Sequence, residues 1–189
     1  MRWQQLFEDL QSQFEAEQAA GERAESASRT RTEMGAVHLG QRLGGALGFS
    51  LTLGVRGAGP VAGVLVDQGP DWLLLEDGQG REQLVALAAV GTVAGLGRRT
   101  TVPEPVDGVR ARLDLRRALR GLARDRRVVQ VVLDDGGTLT GTLDRVGADF
   151  VELAVHPADE FRRNEAVQGV QAVVIRAVAV VRTGLPGLG

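Results

Sequence analysis

The sequence predicts a mainly β protein: two tandem barrels of five short strands, each preceded by a short helix, behind a long N-terminal α-helix. Three observations carry that expectation. The chain repeats itself, since GPVAGVLVDQGPDWLLLE at 59–76 aligns without gaps on GTLTGTLDRVGADFVELA at 137–154, a constant offset of 78 residues. Gly59/Gly137, Gly63/Gly141, Leu65/Leu143, Gly69/Gly147, Asp71/Asp149 and Leu75/Leu153 are identical, and Trp72 stands opposite Phe150. Similarity at a fixed offset marks duplicated structural units. The match resumes where VALAAVGTV at 85–93 meets VVIRAVAVV at 173–181, now offset by 88, so the second copy carries ten extra residues around HPADEFRRNEAVQG. Finally, RRTTVPEPVDG at 98–108, with two prolines and a glycine, divides the copies.

The elements follow in order. Residues 1–36 read as one amphipathic helix: Trp3, Leu6, Phe7, Leu10 and Phe14 fall on one face, and a polar, acidic run follows. This is apolar area that a neighbour must cover, so the five residues are candidates for docking a partner or a second copy of the chain. A first barrel spans 37–97, opening on a glycine-weakened helix at 37–47 and a first strand at about 49–56. The linker is 98–110. A second barrel spans 111–183, opening on the helix ARLDLRRALRGLAR at 111–124 and a first strand at about 128–134, and a tail occupies 184–189. Strand periodicity is clearest in Val129, Val131 and Leu133, then Leu139, Gly141 and Leu143, with DDGG between them supplying positive-φ turn positions.

Composition restricts the function classes. Of 189 residues, 43% are hydrophobic, which suits ordinary cores, and the absence of cysteine excludes disulfides, thiolate metal sites and cysteine nucleophiles. The only histidines are His38 and His156, and neither GxSxG nor HExxH occurs, so the chain reads as a non-enzyme without cofactor, metal or small-molecule substrate. His156, ahead of Pro157 in the insertion, reads as a solvated loop residue. The N-terminus carries acids where a secretory signal needs a basic start, and the longest mostly apolar run, 84–97, is too short and too glycine-rich to span a bilayer. A cytoplasmic protein without membrane contact is expected.

One motif invites a different reading. In GGTLTGT at 136–142 glycines five apart precede a hydroxyl residue, the skeleton of a phosphate-binding loop. Such a loop requires a lysine and must open a helix. Here Thr142 occupies the lysine position, and LDRVGADFVEL continues as strand, turn and strand. The glycines therefore serve the fold: Gly63 and Gly141 sit where a strand must bend or approach another backbone closely.

The pattern of a helix, then VVLDDGGTLTGTLDRV, then VIRAVAVVR resembles the Sm-like family of small SH3-like barrels, over roughly 37–96 and 111–183. That resemblance implies the barrel fold and assembly through strand edges. It does not carry over the family's RNA site, because the turn Asp and following Asn of that site are Gly147 and Val151 here, and Gly69 and Leu73 in the first copy. The family's final Arg-Gly pair stands as Arg176-Ala177 and Ala88-Ala89. The whole chain, including its MRWQQLFEDL start, also resembles an uncharacterised family of high-G+C bacteria, which implies no activity.

The leading expectation is thus an adaptor or scaffold that docks a protein partner or itself through the N-terminal helix, as a homo-oligomer or in a complex. The alternative is nucleic-acid association. On helix 111–124 Leu115, Leu119 and Leu122 form an apolar stripe, while Arg116, Arg117, Arg120 and Arg124, with Arg127 beyond, form a basic face that could neutralise phosphates. Edge pairing provides a route to assembly, since 85–93 and 173–181 are valine-rich and lack proline.

Overall fold

The computed structural model describes residues 13–15, 17–23, 25–26, 32, 34–101, 112–157 and 169–184. They belong to two compact units, residues 1–39 and 40–189. In the first, residues 13–15, 17–23 and 25–26 are helical and exposed. Residues 32 and 34–35 are helical as well, and the long helix expected over 1–36 is described only in these pieces. Trp3, Leu6, Phe7 and Leu10 lie outside the described residues, whereas Phe14 is 67% exposed.

The second unit is mainly β, and the two expected barrels are halves of one continuous antiparallel sheet rather than two closed cylinders. Its ten strands are β1 (Ser50–Val55), β2 (Gly59–Gln68), β3 (Trp72–Glu76), β4 (Glu82–Ala86), β5 (Val90–Ala94), β6 (Val128–Leu133), β7 (Thr138–Val146), β8 (Phe150–Val155), β9 (Gly169–Val174) and β10 (Val178–Arg182). Their spatial order is β5-β1-β2-β3-β4-β10-β6-β7-β8-β9. Each half therefore places its last strand beside its first, and the halves join where β4 meets β10.

The duplication holds down to single hydrogen bonds. Arg56 N–H donates to the Ala89 carbonyl and Asp134 N–H to that of Ala177, while Leu87 N–H donates to Asp71 and Ile175 N–H to Asp149. Both second strands carry a bulge at the same repeat position, between Leu65 and Asp67 and between Leu143 and Arg145. A bulge bends its strand and strengthens the local twist, which is how a short sheet starts to curl. Each half also turns its final corner through one 3-10 turn, Leu87–Ala89 and Ile175–Ala177.

The glycine expectation is met in detail. A side chain at Gly63 would place its Cβ 2.6 Å from the Glu76 carbonyl oxygen, and one at Gly141 would run into the Ala154 carbonyl. Close approach by the backbone of the neighbouring strand excludes any larger residue at either site. Gly69 and Gly147 make room for the rings of Trp72 and Phe150 in the same way.

Alternation along the strands buries Leu53, Leu65, Leu73, Leu75 and Val85 in the first half and Val129, Val131, Leu143, Leu153 and Val180 in the second. Each such side chain contributes roughly 1.5–3 kcal/mol relative to exposure. Two helices accompany the sheet. Helix α1 (Leu39–Gly44) is shorter than the expected 37–47, and its chain soon turns through Gly48 at φ 81°. Helix α2 (Leu115–Asp125) starts four residues later than expected, because Asp114 caps it by accepting from Arg117 N–H. It ends at Arg126 in the left-handed region, φ 52°.

Candidate functional site

The most constructed feature of the sheet is the seam between its halves. On β4 and β10 the partners are Val85 with Val180, Leu84 with Val181, and Gln83 with Arg182. Eight valine, leucine and alanine positions are buried on both strands together with the flanking turns, so the seam continues the core rather than interrupting it. At its mouth the strands place three polar residues side by side. Arg182 Nε donates to Gln83 Oε1 at 3.3 Å and its Nη1 to Gln130 Oε1 at 3.2 Å, while Gln83 Nε2 donates to the Ala62 carbonyl at 3.3 Å. Arg81 closes the adjoining hairpin loop through an ion pair with Asp77 at 2.8 Å.

A second contact locks the halves. Trp72 Nε1 donates to the Leu113 carbonyl at 2.6 Å, and Asp71 Oδ1 accepts from Leu115 N–H at 2.7 Å. The start of α2, which belongs to the second repeat, is thereby seated on the first. Loss of hydration raises the Asp71 pKa above the ordinary carboxylate value; the Leu115 hydrogen bond opposes that shift and the nearby charge of Asp114 adds to it. The match of Asp71 with Asp149 in the repeat was a visible signal, but only folding shows what Asp71 caps. The Gln83–Arg182–Gln130 cluster had no such signal, because its members are 47 and 52 residues apart and belong to no motif.

The outer strands of the sheet are the repeat counterparts of the seam strands. Strand β9 corresponds to β4 and β5 to β10, each at the offset of 88 residues seen in the sequence. Among the described residues both are paired on one side only. The valine-rich segments 85–93 and 173–181 thus each supply one strand to the seam and reach one outer strand. Exposure records the difference: Ala86 in the seam is 4% exposed and its counterpart Val174 on β9 is 42% exposed. Likewise Leu115, at the seated start of α2, is 5% exposed, whereas Leu39, at the start of α1, is 45% exposed.

The predicted phosphate-contacting residues lie on α2 and just beyond it. Arg117, Arg120, Arg124 and Arg127 are exposed, and Arg116 approaches Asp114 at 3.9 Å. Leu115 and Leu119 are buried beneath them, as the stripe requires. The basic face is therefore real and turned to solvent, while the docking residues Trp3, Leu6, Phe7 and Leu10 are outside the described residues.

His156 corrects a sequence expectation. It is not a solvated loop residue but is 1% exposed. Nδ1 faces the Pro157 carbonyl at 2.9 Å, an oxygen that can only accept, and Nε2 shares a hydrogen bond with the Thr142 hydroxyl at 2.8 Å. The pair fills the end of the second half, and the hydroxyl that mimicked a phosphate-loop residue is a buried partner for this ring. Among the described residues no group of three His, Cys, Asp or Glu side chains could hold a metal ion, and no helix is long and apolar enough to cross a membrane. No known protein-family model matches the chain, and neither does any curated protein.

Proposed function

We propose that the chain is a non-enzymatic assembly protein: two tandem Sm-like barrels whose outer strands recruit further copies head to tail, forming a scaffold. The observation that carries this reading is the seam. One pairing, β4 with β10, joins the repeats, and the counterparts of the same two strands stand at the two ends of the sheet. Transferring the seam register by the repeat offset pairs Val173 of one copy with Thr92 of the next, Ala172 with Val93, and Gln171 with Ala94. Unpaired strand edges are templates for such addition. Because β9 and β5 are different surfaces, the contact is heterologous and gives a ring where the rotation closes. In this reading the apolar positions Trp3, Leu6, Phe7, Leu10 and Phe14 form a second docking face, for a protein partner in the cytoplasm.

Light scattering on the full-length protein tests the proposal. Several chains per particle at tens of micromolar is the expected result, and a monomer contradicts it. A second reading, association with RNA or DNA, is favoured by the exposed arginines of α2. It requires binding to unrelated sequences whose salt dependence becomes shallower when Arg116, Arg120 and Arg124 are replaced by glutamine.

A further inference from the structure

We propose that the mouth of the seam is an oxyanion-binding site for a phosphate group, with Arg182 as its central cation. The inference does not depend on self-assembly, since every residue it uses belongs to one chain. Arg182 lies half-buried on β10, between β4 and β6, in a cleft of about 470 Å³ lined also by Ala62, Asp77, Arg81, Gln83 and Gln130. Its two hydrogen bonds go to neutral amide oxygens, those of Gln83 and Gln130, and it has no ion pair among the described residues. Those amides hold the guanidinium in place without neutralising it. Among the described residues the only carboxylate lining the cleft is Asp77, whose Oδ1 accepts from Gln79 and Arg81 N–H and whose Oδ2 accepts from Arg81 Nε. Asp77 and Arg81 cancel, which leaves the described lining with the positive charge of Arg182.

The lining defines the ligand. Arg182, Arg81 and Gln130 reach the cleft from three different elements, β10, the β3–β4 loop and β6. A guanidinium presents its donors as a planar fork suited to oxyanions. Donors arriving from three directions suit a tetrahedral group with three or four oxygens better than a planar carboxylate with two. Fixed orientation matters as well, because the ordering of Arg182 by two amides removes an entropic cost that binding would otherwise incur. The site exists only because the repeats are fused: the repeat counterpart of Arg182 is Ala94, and that of Gln130 is Thr52. It is thus a property of the pair and not of either half.

Isothermal titration of the full-length protein with inorganic phosphate, at ionic strength held constant with chloride, tests the proposal. AMP and acetate serve as parallel ligands. Saturable phosphate binding is expected, with AMP binding if the group is a nucleotide's and excluded if the site takes the free ion, and with acetate at least tenfold weaker. Arg182→Lys keeps the charge and loses the fork, so it should bind at least fivefold more weakly while its circular dichroism stays native. Gln130→Ala should weaken binding without touching the cation, and Arg145→Gln, on the exposed side of β7 and outside the cleft lining, should leave it unchanged. Phosphate binding that is absent in the wild type, that survives Arg182→Lys and Gln130→Ala, or that falls equally with Arg145→Gln overturns the proposal.

Discussion

The same pair of strands occurs twice in this molecule, once joined and once apart. At the seam β4 and β10 are paired on both sides, and Leu84, Val85, Ala86, Val180 and Val181 are buried. At the ends of the sheet their counterparts β9 and β5 are paired on one side among the described residues, and Val170, Ala172, Val174, Thr92 and Ala94 are exposed. The sequences differ less than the surroundings do. Burial of a strand is thus decided here by what lies beside it, and a duplicated unit with one joined seam carries the halves of another.

The largest effect expected from this contrast comes from placing a charge at equivalent positions. Leu84→Lys would bury an unpaired ammonium in the seam and should cost about 4 kcal/mol or more, while Ala172→Lys, its repeat counterpart on β9, should stay within about 0.5 kcal/mol in a dilute sample. Urea unfolding at submicromolar protein measures both. Similar losses for the two would mean that β9 is already covered, and the contrast would fail.

A smaller effect compares the two halves themselves. Gly141→Val forces a branched side chain against the Ala154 carbonyl, and Gly63→Val does so against Glu76, so each should cost about 2–3 kcal/mol from overpacking. Unchanged melting temperatures in both variants would remove close strand approach as the reason for these glycines.

The sequence made the repeat, the strand count and the glycine roles legible because each rests on local pattern: Gly63/Gly141, Leu65/Leu143 and the DDGG turn signal their own structure. The single continuous sheet was less legible. The valine-rich segments 85–93 and 173–181 mark edges able to pair, yet which strands pair depends on how two halves dock, and no local signal in β4 or β10 states it. Helix α2 shows a similar limit. Its stripe was readable from leucine spacing, but its start was set by the Asp114 cap and by the seat that Asp71 and Trp72 provide from a distant strand. His156 failed in the sequence reading for the same reason, since its partner Thr142 lies on another strand.

The smallest expected effect lies in the loop between β3 and β4. In the first half Arg81 and Gln79 N–H groups, followed by the Arg81 side chain, hold the Asp77 carboxyl below the ordinary carboxylate range. A depressed folded value means that the carboxylate contributes stability above its unfolded pKa, roughly 4, and loses it as pH falls through the lower folded value. Asp77→Asn should therefore lower the melting temperature slightly at neutral pH, with the difference from wild type vanishing in strong acid. A difference that persists unchanged at the lowest pH at which both proteins fold would show that the loop depends on shape and not on charge.

The central claim is that the two open edges are complementary to each other and not to themselves, and mixing two singly blocked chains tests it most directly. Ala172→Lys blocks β9, and Thr92→Lys blocks β5. Each variant alone should be monomeric by light scattering at tens of micromolar, and an equimolar mixture should form a particle of one chain of each kind, because one copy still offers β5 and the other β9. Self-association of the Thr92→Lys protein through its intact β9, or a mixture that stays monomeric while the wild type assembles, would contradict head-to-tail reuse of the seam.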